Sequence, residues 1–175
     1  GGYNGTTTAG ALRYVGSSEI SSGSTLICNS AWNHFAITRD GSNNVKLYVN
    51  GVLSGSGTDT TNYSTTTGDW YVGVNDTGGH SSNYFTGNMS NLRLVKGVVV
   101  YTGNFNPPTS PLTAISGTGF LSLQNSTIVD NSGYSVAITN TGSVTTAQTF
   151  PFTPSVAQDY SPQGNNWTIN NFGSQ

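Results

Sequence analysis

"WNHFAITRDGSNNVKLYVNGV", residues 32–52, decides the fold. In an extended chain, Phe35, Ile37 and Arg39 fall on one face, and His34, Ala36 and Thr38 on the other. "DGSNN" (40–44) then breaks the alternation with residues that favour turns. Alternation resumes with Val45, Leu47 and Val49 against Lys46, Tyr48 and Asn50. Asn50-Gly51 is the strongest short hairpin signal, because both residues tolerate positive φ. Val52 and Leu53 begin a third run. The stretch predicts a meander of three antiparallel strands.

Outward from this meander the strand pattern continues. Residues 54–68 are almost entirely Ser, Thr, Gly, Asn and Asp, and are expected to form a long loop. "DWYVGV" (69–74) predicts a strand and "NDTGGHSSN" (75–83) a loop. "YFTGNMSNLRLV" (84–95) predicts a strand bulged near Ser90-Asn91, since Phe85, Met89, Leu92 and Leu94 do not keep a period of two. "GFLSLQN" (119–125) and "YSVAITN" (134–140) predict two more. No window shows an apolar period of 3.6, and Glu19 is the only glutamate. Short strands separated by turn residues predict an all-β chain folded as an antiparallel β-sandwich.

Composition narrows the function classes. Only 34% of residues are apolar and 7% charged, while Gly, Ser, Thr and Asn make up more than half the chain. Nine Tyr, seven Phe and three Trp, spread along the sequence, argue against disorder. The formal net charge of −2 supplies no basic block for a polyphosphate, which speaks against nucleic acid. The longest apolar run falls far short of the roughly 20 residues that a membrane span needs. Cys28 is the only cysteine, so no internal disulfide and no multi-cysteine metal site can form. Its neighbours Leu26 and Ile27 predict a buried, inert thiol.

A second stretch joins the first. "FTGNMSNLRLVKGVVVYTGNFNPPTSPL" (85–112) carries Phe-x-Gly, then Leu-Arg-Leu, Lys-Gly, Tyr-Thr and Phe-x-Pro-Pro-x-x-Pro-Leu. Together with the Trp-x-His strand and the Leu-Tyr-Val-Asn-Gly hairpin of 32–52, it resembles the concanavalin A-like lectin/glucanase superfamily, in its laminin-G-like branch. The versions most alike are those of bacteriophage tail-fibre and other virion structural proteins. The resemblance covers 32–112 and extends loosely to 152. It implies a jelly-roll sandwich over residues 1–152, with 153–175 a C-terminal extension, linker or start of a following module. It also implies roles: Trp32 in the core, Tyr48 within its strand, and Gly87 at a close backbone approach. Phe105 with Pro107, Pro108 and Pro111 would form an extended exit, because proline cannot join a central strand. In the strand before that exit, Arg93 is expected on the outer face, Leu92 and Leu94 inward, and Lys96-Gly97 at a turn.

The candidate sites follow. Glycosidic cleavage needs two carboxylates facing one bond, and the superfamily's glucanases carry Glu-x-Asp-x-x-Glu on a strand. Here Glu19 stands apart, and Asp40, Asp59, Asp69, Asp76, Asp130 and Asp159 mostly fall in turn-like sequence. A non-enzymatic chain is expected. His34 is expected to be structural. Laminin-G-like domains often hold calcium at the rim through Asp, which makes Asp76 the metal candidate, against a loop with no cofactor at all. Sugars are read by amides, carboxylates and aromatic faces. The loops supply Asn62, Tyr63, Trp70, Asn75, Asp76, His80, Asn83 and Tyr84 as a glycan-binding face. An echo between "DNSGYSVAITN" (130–140) and "DYSPQGNNWTINN" (159–171) marks either the opening of a following domain or two Asx turns of one kind.

The expected function is adhesion or attachment on a virus particle: a module binding host-surface polysaccharide, homo-oligomeric and in contact with other virion proteins. It would sit on the virion surface or outside a cell, without nucleic acid or membrane insertion. The alternatives are a structural spacer without ligand and a domain of a secreted bacterial adhesin.

Overall fold

The computed structural model describes residues 9–65, 70–74, 84–147, 149 and 151–152. These hold seven β-strands, a single 3₁₀ turn and no α-helix, and every paired strand is antiparallel. The predicted all-β, antiparallel class stands. The chain divides into two compact units. One comprises Gly1–Thr66 with Gly97–Pro108, the other Thr67–Lys96 with Thr109–Gln175.

The first unit contains the predicted meander. Strands β3 (Phe35–Arg39), β4 (Asn44–Val49) and β5 (Val52–Thr58) form one sheet in that order. Asn50 and Gly51 both take positive φ, 50° and 79°, as the two-residue hairpin turn requires. Val45, Leu47 and Val49 project to one side and are almost fully buried. Across them lies a hairpin of β1 (Ala11–Val15) and β2 (Glu19–Leu26), which contributes Leu12 and Ile20 to the same core cluster. Two sheets thus face each other around aliphatic side chains, each worth roughly 1.5–3 kcal/mol of burial.

Residues 54–58, expected as loop, continue β5 instead. The reason is steric. A Cβ on Gly57 would lie 2.8 Å from the Ile20 side chain, and one on Gly55 would run into the Ser21 carbonyl. The glycines are there so that β2 can settle onto β5. The β1–β2 hairpin carries no strong alternation in sequence, since Gly23 (φ 62°) and five serines interrupt it.

The other side of β4 is covered by the returning segment 97–108. Tyr48 is completely buried, its ring 5.5 Å from that of Phe105. Phe105 stacks on Tyr101 at 3.5 Å between centroids, and His34 packs edge-on against both. Three hydrogen bonds strap the segment down. The Phe105 N–H donates to the Gly51 carbonyl (2.9 Å), Lys46 Nζ to the Thr102 carbonyl (2.9 Å), and the Leu53 N–H to Asn104 Oδ1 (2.9 Å). His34 is structural, as expected: its carbonyl accepts from the Asn50 N–H and its N–H donates to Asn50 Oδ1. Trp32, expected in the core, is 39% exposed and precedes β3. Cys28, expected to be buried, is exposed because β2 ends at Leu26 and the chain leaves the sheet there.

The second unit pairs β6 (Leu92–Val95) with β7 (Thr118–Ser122). The predicted 84–95 strand is shortened at the expected irregularity. Asn91 takes φ 58°, its N–H donates to the Leu123 carbonyl, and its Oδ1 accepts the Leu112 N–H. Arg93 lies opposite the buried Leu121 and donates to the Thr113 carbonyl at 3.0 Å, while Leu94 is exposed. Leu94, expected inward, is thus exposed, whereas Arg93, expected on the outer face, is half-buried and shares a face with Leu121 while its guanidinium makes an exposed hydrogen bond. Gly97 makes the expected turn with φ 83°.

Residues 70–74 form no strand beyond a single bridge, Val74 to Tyr84. Residues 134–140 form none either, and Tyr134, Val136 and Ile138 are exposed. Asp130 explains the latter. Its carboxylate captures the Val136 N–H (2.8 Å), which a ladder would otherwise use. The same carboxylate accepts from the Leu121 and Ser132 N–H groups, an Asx turn as one reading of the echo required. The second copy, at 159–171, and the proposed extension 153–175 lie outside the described residues.

Candidate functional site

Two features of the fold bear on chemistry, one in each unit. The first is Asp59, at the end of β5. It is completely buried, and five donors meet its carboxylate. Oδ1 accepts the Ser17 N–H (2.9 Å), the Thr61 N–H (3.0 Å) and the Thr61 hydroxyl (2.7 Å). Oδ2 accepts the hydroxyls of Tyr14 and of Tyr63, the latter at 2.9 Å. Gly16 makes the approach possible, because a Cβ there would lie 2.6 Å from the Asp59 carboxyl carbon.

The electrostatics follow from the donors. The Thr61 hydroxyl first, then the Tyr14 hydroxyl, hold the Asp59 carboxyl far below the usual carboxylate range. Tyr14 moves the opposite way: burial, then donation to Asp59, pushes its phenol well above its ordinary value. A carboxylate so saturated stays ionised at neutral pH and has no proton to give. It therefore acts as a clasp between the β1–β2 turn and the end of β5. Arg39 completes the surroundings, its guanidinium carbon 5.4 Å from the Tyr63 ring centroid while a nitrogen donates to Asn43 Oδ1. Nothing in the local sequence separates Asp59 from a turn former; its identity rests on Tyr14, which is remote in sequence.

The second feature is an aromatic strip. The Val74–Tyr84 bridge and a hydrogen bond from the Phe85 N–H to the Gly73 carbonyl (2.8 Å) set Gly73 and Val74 beside Tyr84 and Phe85, with Trp70 and Tyr71 just before them in sequence. Trp70 is 81% exposed and Tyr84 63%; Tyr71 and Phe85 also show about half their surface. Gly87 serves the Phe85 ring rather than a backbone approach: a Cβ there would lie 2.9 Å from Phe85 Cζ.

The expected glycan face thus divides. Asn62 and Tyr63 belong to the first unit, Trp70 and Tyr84 to the second. Asn62 Oδ1 accepts the N–H and hydroxyl of Ser64, capping the 3₁₀ turn Tyr63–Thr65. Tyr63 is engaged by Asp59, Tyr14 and Arg39. Trp70 and Tyr84 present open rings. Asn75, Asp76, His80 and Asn83 lie outside the described residues, and with them the metal candidate Asp76.

Among the described residues no three His, Cys, Asp or Glu side chains converge. Asp40, Asp59 and Asp130 do not fit a calcium site, because both oxygens of each already accept N–H or O–H donors. Glu19 is ion-paired with Arg13. No helix among the described residues is long and apolar enough to cross a membrane.

A laminin-G-type family model, described as concanavalin A-like lectin/glucanases superfamily, matches residues 3–100. No curated protein and no solved structure matches the chain.

Proposed function

The chain belongs to the concanavalin A-like lectin/glucanase superfamily, and from that premise we propose that it is a non-enzymatic adhesion module that binds host-surface glycan. The observation that carries this reading is the exposed aromatic strip of the second unit, led by Trp70 and Tyr84. Solvent-facing aromatic rings can stack on the C–H faces of pyranoses, and Tyr84 is held by a backbone bridge to Val74. Support for the absence of catalysis comes from Asp40, Asp59 and Asp130, whose oxygens are spent on structural hydrogen bonds, and from Glu19, tied to Arg13. Display on a virus particle rests on the likeness of 32–52 and 85–112 to phage structural proteins and on a surface of neutral hydroxyls and amides.

Titration of the intact chain against host-surface polysaccharide, with Trp70→Ala beside it, tests the reading. Saturable binding that Trp70→Ala weakens about tenfold or more supports it. Absence of binding to any glycan removes it. One observation favours a ligand-free spacer instead: Asn62 and Tyr63, the first loop's sugar-reading candidates, are spent on internal contacts. A spacer would bind no glycan and would retain its assembly with other particle proteins in Trp70→Ala.

A further inference from the structure

We infer that β3 is a dimerisation edge, which pairs antiparallel with β3 of a second copy about a two-fold axis through Ile37. The pairing does not depend on the glycan-binding reading. Its first ground is the phase of the backbone. The Asn50 N–H donates to the His34 carbonyl and the Asp40 N–H to the Asn44 carbonyl. Even-numbered residues of β3 therefore turn their backbone groups toward β4, while Phe35, Ile37 and Arg39 turn theirs outward. Among the described residues no strand lies along that side of β3, and no hydrogen bond reaches those outward groups. The covering β1–β2 hairpin lies against β4 and β5. Phe35 and Ile37 accordingly remain 49% and 41% exposed.

Sheets protect an open edge with proline, lysine, a bulge or a covering segment. β5, the other edge of this sheet, has two such devices. Its register against β4 shifts beside Leu47 and Tyr48, and Asn104 of the returning segment takes the Leu53 N–H. β3 has none of them: "FAITR" holds no proline or lysine, and its register against β4 is unbroken. What suits the edge to its own copy is self-complementarity. With Ile37 on the axis, Ile37 faces Ile37, Ala36 faces Thr38, and Phe35 faces Arg39. Each outward residue then meets an outward residue, and the aliphatic stem of Arg39 can cover the Phe35 ring across the pair. The two arginines stand roughly 13 Å apart along the strands, beyond the screening length of about 10 Å at 0.1 M salt. An axis through Arg39 would instead set two guanidinium groups side by side, and one through Phe35 would leave Arg39 outside the pairing. The contact is isologous, so it closes at a dimer.

The test uses the intact chain in sedimentation velocity, loaded from about 1 to about 200 µM. The expected result is a monomer–dimer equilibrium within that range. Ile37→Lys and Ile37→Glu each set two like charges on the axis, and each should weaken the dimer about tenfold or more. An equimolar mixture of the two variants should dimerise again, because only in this register does residue 37 face itself. Ile37→Cys, in a Cys28→Ser background, tests the same contact without added charge. Opposed residues of a hydrogen-bonded antiparallel pair lie about 5.5 Å apart at Cα, within disulfide reach. Mild oxidation should therefore crosslink this variant into a covalent dimer, while Phe35→Cys in the same background, facing Arg39, should stay uncrosslinked. A chain that is monomeric throughout overturns the inference, whatever other strand the edge then accepts. So do assembly beyond a dimer, a dimer indifferent to both charged variants, and oxidation that crosslinks both cysteine variants equally or neither.

Discussion

Tyr14 donates its phenolic proton to the carboxylate of Asp59, 45 residues further along the chain. The same oxygen accepts Tyr63, and the two phenols lie 3.0 Å apart. Tyr14→Phe and Tyr63→Phe each remove one donor and leave the others. Each is expected to cost about 1 kcal/mol, near the low end for a bond to a charged group because both tyrosines remain partly solvated. Urea unfolding measures it. Tyr14 also sets a direction with pH. Its folded value is raised above the unfolded one, so its contribution is intact below about pH 10 and is lost as pH rises beyond. In an ultraviolet titration one phenol should ionise later than the rest, and that late step should vanish in Tyr14→Phe.

Gly51→Ala should be among the most damaging single substitutions. The residue sits at φ 79°, and a Cβ would drive into the Phe105 carbonyl that the turn must face. Strain in the turn and loss of the strap add, for an expected cost of about 3 kcal/mol or more. Asn50→Gly relieves φ but deletes the amide bonds to His34 and Asn33, and should cost no more than about 1–2 kcal/mol. A ranking in which the two substitutions are equal would show that the strap carries no stability.

Acid should unfasten the Asp130 turn. Burial raises this carboxyl, but the N–H groups of Val136, Ser132 and Leu121 outweigh it and bring it down to about 2. A lowered folded value contributes stability above the unfolded value near 3.9, and loses it as pH falls through about 2. The urea midpoint should decline between roughly pH 4 and 2, less steeply in Asp130→Asn. An unchanged slope in that variant counts against the turn as its source.

Cys28 should react in the folded protein. It is exposed, beyond the end of β2. A thiol reagent is expected to modify it without denaturant, and slow reaction limited by unfolding would contradict the structure.

What the sequence made legible was what alternation and turn chemistry encode locally. Val45, Leu47 and Val49, the Asn50-Gly51 turn and the kink at Asn91 all follow from neighbours within a few residues. The strand at 54–58 was hidden because Gly55 and Gly57 exist for contact with Ser21 and Ile20, and a glycine chosen to make room reads as loop. The opposite error arose at 134–140, where alternation is present but Asp130 holds the backbone away from any ladder. Asp59 was hidden for a related reason: a buried carboxylate between threonines looks like a turn until Tyr14 arrives from another strand. Of the candidate site, Trp70 and Tyr84 are exposed, and Asn62 caps the 3₁₀ turn.

The strap over Tyr48 has a bearing on dissection of the molecule. Residues 97–108 belong to the first unit, yet the chain reaches them only after passing through part of the second. A fragment ending at Thr66 would contain the entire meander and still leave Tyr48 bare on the side that Phe105 covers. Such a fragment should be rescued by a synthetic peptide spanning 97–108, supplied in trans. A protease nick between 66 and 97 should likewise yield two pieces that copurify rather than part. Split-protein complementation is then the natural handle on this fold, with the Tyr101–Phe105 stack as the plug.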